Sequence, residues 1–250
     1  MFKPLPLSTR SICALAVLGT VLLGEADLPA RETCPVEVKL LLSTQATKTA
    51  IGSLGLAKKT AGRVYFYDTD GLDLFRQGVI LRAREGADND FTVKVRQVDG
   101  DDASRLRQEF PCEIDRMRES AHVSFSVDSN YKTARAPRTG DEVRKLLSAT
   151  QGDLLRKAGV SIDWGRIKRV AVIDSMKWTT SARSPYGKLA LELWKWPEGE
   201  ILELSKRAGA EADAAAYSDL ERLSEKKELP LSASQDTKTG TVLQSHHASP

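Results

Sequence analysis

Basic side chains recur at alternate positions in several short segments: Lys39, Arg82 with Arg84, Lys94 with Arg96, and Arg107. Alternate residues of a strand share one face. Each segment therefore presents its Lys or Arg on one side and an apolar row on the other. Glu37, Glu109 and Glu113 fall on the same faces, and Glu192 and Glu203 sit in two later segments. Together these residue types suit a compact polyphosphate. Arg and Lys grip phosphoryl oxygens, and carboxylates hold Mg²⁺ or Mn²⁺ that bridges them. On an open sheet such a face is simply solvated. In a closed sheet it turns inward, where like charges 4 Å apart repel by roughly 4 kcal/mol per pair at an effective dielectric constant of 20. A closed sheet therefore needs carboxylates, a metal or a polyanion inside it.

Other chemistries lack their residues. There is no GxSxG elbow, no HExxH and no GxxxxGK[ST] loop. No CxxC pair or Cys/His cluster supports a structural zinc. His122 stands among Ser and Val, and His246 and His247 lie near the C-terminal end.

The elements that must position the charged rows are mostly strands. Period-two patterning runs through 34–41, 63–68, 79–84, 91–97, 105–115, 122–128, 169–179, 188–196 and 200–207. The last two are joined by Pro197-Glu198-Gly199, a hairpin turn. Residues 141–157 show helical spacing, with Thr139 or Asp141 as cap and Gly152 weakening the middle. Residues 208–228 read as an Ala-rich helix and 229–250 as a disordered polar tail. The fold class is α+β, mainly antiparallel β with flanking helices.

The 250 residues are 41% hydrophobic and 28% charged, with a net charge of +3. That describes a globular chain and no nucleic-acid coat. Lys3 and Arg10 precede a short apolar run, 12–24, and small residues follow it. This reads as a signal peptide over 1–26, cut after Ala26 or alternatively Ala30, with an uncleaved anchor as the other reading. The expectation is an exported protein, periplasmic or secreted, with no membrane attachment after cleavage. Cys34 and Cys112 then remain, as a disulfide or as two buried thiols. Both share their faces with apolar residues, so a bridge would avoid the charged rows.

The strand VEVKL, the stretch YFYDTDGLDLFRQGVILRAREG, FTVKVR, EFPCEID and ILELS resemble the CYTH, or triphosphate tunnel metalloenzyme, superfamily over about residues 35–207. The most specific part is Leu74 to Arg84 followed by Thr92 to Arg96. The resemblance implies an eight-stranded antiparallel tunnel. It implies that Lys39, Arg82, Arg84, Lys94 and Arg96 bind phosphate, with Lys177 and Arg169 as weaker candidates. It implies a metal held by Glu37, Glu109, Glu113 and Glu203, with Glu192 less secure. Glu37 and Lys39 would be the catalytic pair. Two motif positions depart from the family: Pro35 replaces the first Glu of ExExK, and Ser205 replaces the second Glu of ExE.

Three function classes follow. One is metal-dependent hydrolysis of a triphosphate or polyphosphate. One is polyanion binding without turnover, favoured by basic positions better kept than acidic ones. The third is a protein-interaction domain with Trp178, Trp194 and Trp196 at an interface.

Overall fold

The computed structural model describes residues 34–87, 89–96, 100–132, 135–209 and 213–248. The expected signal peptide lies outside them. The order is β1 (Val36–Leu42), α1 (Thr47–Ser53), β2 (Leu56–Asp68), the one-turn α2 (Asp73–Arg76), β3 (Val79–Glu85), β4 (Asp90–Arg96), α3 (Gly100–Glu109), β5 (Cys112–Arg116) and β6 (Ala121–Asn130). Then follow α4 (Gly140–Leu146), α5 (Ala149–Lys157), β7 (Lys168–Thr180), β8 (Leu189–Trp196), β9 (Gly199–Ala208), α6 (Asp213–Lys226) and α7 (Lys238–Ala248).

The strands close into one barrel in the order β1-β5-β6-β4-β3-β2-β7-β8-β9, and β9 returns to β1. Nine strands close it where eight were expected. The sheet is mixed because β5 runs parallel to β1. The alternating pattern sets the faces. Val36, Val38 and Leu40 point outward into a core shared with α1, α6, β8 and β9. Leu81, Ala83, Phe91, Val93 and Val95 point outward under α3, α4 and α5. The charged rows therefore face the bore.

The strand expected over 105–115 divides in two. Ala103, Leu106 and Phe110 are buried at helical spacing, so the first half is α3. Pro111 has no N–H to continue a helix and disfavours helical backbone at the residue before it. The chain restarts as β5. The helix expected over 141–157 also divides, at Ser148 rather than Gly152. Thr139 with Glu142, and Ser148 with Gln151, each close a capping box, so Ser148 starts a second helix.

The segment 229–248 is ordered, contrary to the expected tail. Ser43 N–H donates to Pro230 O at 2.8 Å and Ser232 N–H to Leu41 O at 2.8 Å. The Gln235 amide accepts from Leu41 N–H at 3.0 Å and donates to Leu41 O at 2.8 Å. Helix α7 then buries Val242 and Leu243 against Leu41, Phe66, Ile80, Ile173, Trp194 and Ile201. Its composition is polar overall, but its few apolar residues meet one apolar surface.

Cys34 and Cys112 form a disulfide, with Cα atoms 5.2 Å apart, at the start of the parallel β1–β5 pair. Trp178 and Trp194 are buried in the packing, and Trp196 donates to Ser245 Oγ of α7 at 3.0 Å. None of the three offers an exposed interface. Among the described residues no helix is long and apolar enough to cross a membrane. The disulfide joins residues 78 apart in sequence. Cys34→Ser is expected to lower unfolding free energy by about 2–4 kcal/mol. The check is urea denaturation, in which the difference from wild type disappears once reductant is added.

Candidate functional site

The bore is layered along its axis. At one end, Glu37, Arg84, Glu113, Asp128, Lys177 and Arg207 ring an open mouth. In the middle lie Lys39, Arg82, Lys94, Asp115, Glu192 and Glu203. At the far end come the apolar residues packed on α7. The cavity is about 220 Å³ and is lined by eight basic and six acidic side chains.

Asp115 is the centre of the middle layer and is only 1% exposed. Lys39 donates to its Oδ1. Lys94 reaches Oδ2 at 2.8 Å and Arg96 reaches the same oxygen at 3.2 Å. Burial would push this carboxyl up, but Lys39, Lys94 and Arg96 outweigh it and hold Asp115 far below the usual range. Burial would likewise pull Lys39 down. Asp115, Glu37 and Glu203 prevail and raise it. Lys94 goes the other way: burial lowers it to about 8, with Asp115 opposing and the like charges of Lys39 and Arg96 adding to the fall. Glu37 lies 3.0 Å from Lys39. Burial and Glu37 raise Glu113.

The expected phosphate ligands therefore form two groups. Lys39, Lys94 and Arg96 are already compensated by Asp115. Arg82 donates to Thr92 Oγ1 at 3.1 Å, and its buried Nε has no partner. Burial, then Arg84, lowers Arg82 to about 10, so it stays charged at neutral pH. Arg84 lies 4.0 Å from Asp90 and also acts on the Glu192 carboxylate. Among the described residues no carboxylate pairs with Arg82 or Lys177. Arg82, Arg84 and Lys177 thus form a positive wall from the middle layer to the mouth. Arg169 is not part of it. A register shift between Phe66 and Tyr67 carries it to the outer face, over the Tyr65 ring.

The expected metal ligands also separate. Glu37 and Glu113 converge with Asp115, one oxygen from each lying within 4.8 Å of the others. This all-oxygen donor set fits a hard cation such as Mg²⁺ or Mn²⁺. Glu203 sits elsewhere in the bore, beside Glu192, its register partner on β8. Glu109 ends α3 outside the barrel and pairs with Lys157, because the segment that carries it is helical. Arg107 lies on the same helix. Ser205, at the missing acidic position, donates to Glu37 Oε1 at 3.3 Å.

Four charged residues of the bore escape the sequence reading: Asp115, Asp128, Arg207 and Lys238. Asp115 carried a signal, since it shares parity with Glu113 two positions earlier. Lys238 carried none. It enters from α7, pairs with Glu192, reaches Glu203 at 2.9 Å and lies 4.4 Å above the Trp194 ring. Burial would raise Glu192, but Lys238 and then Arg84 hold it far below the usual range.

No protein-family model and no curated protein matches the chain. Solved structures do. A candidate adenylyl cyclase from Hippeastrum, described as revealing a dominant triphosphatase activity, superposes with a TM-score of 0.60 at 19% identity, over 84% of this chain and 94% of that one. A candidate adenylate cyclase from Bacillus halodurans gives 0.58 at 16% identity, over 84% and 97%. The chain therefore shares its fold with these two solved structures.

Removing one partner of a buried ion cluster typically costs about 3–5 kcal/mol, because the other charges stay buried. Asp115→Asn is expected to lose about that much at neutral pH, measured by chemical denaturation. The native carboxyl titrates below its unfolded value near ~3.9. Its contribution is therefore present above that value and lost as the pH falls through the native one. From about pH 4 downward the wild-type and Asp115→Asn curves should draw together progressively.

Proposed function

We propose that this chain is an exported protein that binds a polyphosphate or an organic triphosphate in its bore. One observation carries the reading. Arg82 is a buried guanidinium without a carboxylate partner, in a cavity with a basic excess. An anion bridging Arg82, Arg84 and Lys177 relieves their mutual repulsion and satisfies the free guanidinium N–H. The cavity of 220 Å³ is smaller than pockets for drug-sized ligands, about 300–1,000 Å³. It suits a phosphate head group, with any organic part beyond the mouth. The CYTH-like fold supports the same ligand class.

A second reading adds hydrolysis, and the convergence of Glu37, Glu113 and Asp115 favours it. Those three would hold Mg²⁺ or Mn²⁺, which when bound supplies charge neutralisation and an activated water. Arg82 and Arg84 would hold the chain and stabilise charge on the phosphoryl oxygens. Lys39 orients Asp115 and Glu37. Against this, Asp115 is already fully engaged by three cations, and Pro35 and Ser205 leave the donor set short. Binding is therefore the primary reading.

The two separate in one experiment: phosphate release and melting temperature with tripolyphosphate, in Mg²⁺, in Mn²⁺ and in EDTA. The binding reading expects a melting shift that survives EDTA, without turnover. Metal-dependent turnover establishes the second reading instead. Losing two charge-assisted contacts at about 1.5–3 kcal/mol each weakens binding by a hundredfold or more. That loss is expected of the Arg82→Ala/Arg84→Ala double variant in titration calorimetry. A folded double variant with wild-type affinity removes the bore as the site.

The pH dependence has a defined sign. Lys94 is charged below about 8 and neutral above it. Its attraction for an anion is therefore lost as the pH rises through that value. Affinity for tripolyphosphate should drop between about pH 7 and 9, and Lys94→Met should flatten that part of the profile.

A further inference from the structure

The inner end of the bore rests on an apolar floor, where Leu41, Phe66, Ile80 and Trp194 meet Val242 and Leu243 of α7. Next to it stand two carboxylates on paired strands, Glu192 of β8 and its register partner Glu203 of β9. Their side chains are 14% and 7% exposed. Two facing carboxylates in a closed space need a cation between them. The resemblance to metalloenzymes assigns Glu203 to a metal, but here the cation is the chain's own. Lys238 Nζ pairs with Glu192 Oε2 and lies 2.9 Å from Glu203 Oε1. It also lies 4.4 Å from the centre of the Trp194 ring, a cation–π contact. Ser175 Oγ donates to the other Glu192 oxygen at 3.0 Å.

Lys238 is the first residue of α7, and the positive end of a helix disfavours a cation. Its place is therefore fixed by what surrounds it. Val242 and Leu243 anchor the helix in the floor. Trp196 binds Ser245 near its other end, and Gln235 binds Leu41 just before it. Arg84 and Lys39 act on the same two carboxylates from the bore side. Each serves another group as well, since Lys39 bonds Asp115 and Arg84 lies beside Asp90. We infer that Lys238 is a tethered counter-ion standing where a divalent cation would otherwise bridge Glu192 and Glu203, so that α7 makes the inner end of the bore metal-independent. An ammonium in contact with both carboxylates takes the oxygens a metal needs and repels it. Metal binding is then confined to Glu37, Glu113 and Asp115. The inference concerns a resident group and holds whatever anion the bore accepts.

The test uses Mn²⁺ alone, without phosphate, on the full chain and on Lys238→Met. That variant keeps an unbranched stem over Trp194 and removes the charge. Bound Mn²⁺ is counted by calorimetry and electron paramagnetic resonance, and melting temperature is followed in Mn²⁺ and in EDTA. Lys238→Met is expected to bind one more Mn²⁺ than the wild type. It should also regain with Mn²⁺ the melting temperature it loses in EDTA. Adding Glu203→Gln should abolish both gains. Equal Mn²⁺ stoichiometry in the wild type and Lys238→Met overturns the inference, as does an extra ion that persists in Lys238→Met/Glu203→Gln. If Lys238→Met is unfolded in EDTA, refolding in Mn²⁺ is the expected result, and failure to refold at saturating Mn²⁺ overturns the inference too. None of these outcomes involves Arg82 or Arg84, so the phosphate reading stands or falls on its own test.

Discussion

Asp115 is the group on which the bore depends. A closed barrel forces one face of every strand inward, and here those faces carry more cations than anions. Lys39 comes from β1, and Lys94 and Arg96 from β4. Only β6 separates β4 from β5, so a carboxylate on β5 can reach both sides. Its position depends on register. Asp115 lies opposite Glu37 in the parallel pair, and Cys34 and Cys112 are bonded a few residues away on the outer face. A slip of one residue would turn Asp115 outward and leave three buried cations without it. The disulfide thus restrains the register on which the charge balance rests, without entering the site.

The same balance divides the cations by role. Those around Asp115 are paired with its carboxylate, although Arg96 Nε has no partner of its own. Arg82 and Lys177 have no carboxylate within ion-pair distance among the described residues, and with Arg84 they line the bore to the mouth. Lys238 has a third role, holding the facing carboxylates Glu192 and Glu203 together over Trp194. The helix that brings it also seals the apolar end of the bore. Closure and charge compensation are therefore delivered by one C-terminal segment. The result is a cup with a basic wall rather than an open tunnel.

The fold leaves the activity open, since one barrel can host both binding and catalysis. The particular residues narrow it. Three convergent carboxylates have the donor chemistry for a hard cation. Yet the most buried of them is held by three side-chain cations, and Ser205 stands where another carboxylate would strengthen the set. Arg82, buried with no carboxylate at ion-pair distance and a free Nε, makes a stronger case for an anion than the carboxylates make for a metal.

Much of this was legible in the sequence because strand periodicity is local. The inward parity of Glu37, Lys39, Arg82, Arg84, Lys94 and Arg96 follows from alternation alone, as does the outward placement of Cys34 and Cys112. Alternation misleads where a segment carries both periods. Residues 105–109 alternate well enough to suggest a strand, but Ala103, Leu106 and Phe110 find an apolar surface only as a helix, which carries Glu109 out of the site. Asp115 stood in plain view on the right face, but its importance comes from cations on β1 and β4, whose proximity only barrel closure decides. Lys238 and the floor under the bore had no local signal. A polar segment with a few apolar residues reads as a tail until tertiary structure supplies the apolar surface it covers. The sequence determined which side chains face inward; the closure of the sheet and the docking of α7 decided which of them are neutralised and which remain free for a ligand, because electrostatic compensation depends on distances across the barrel and not along the chain.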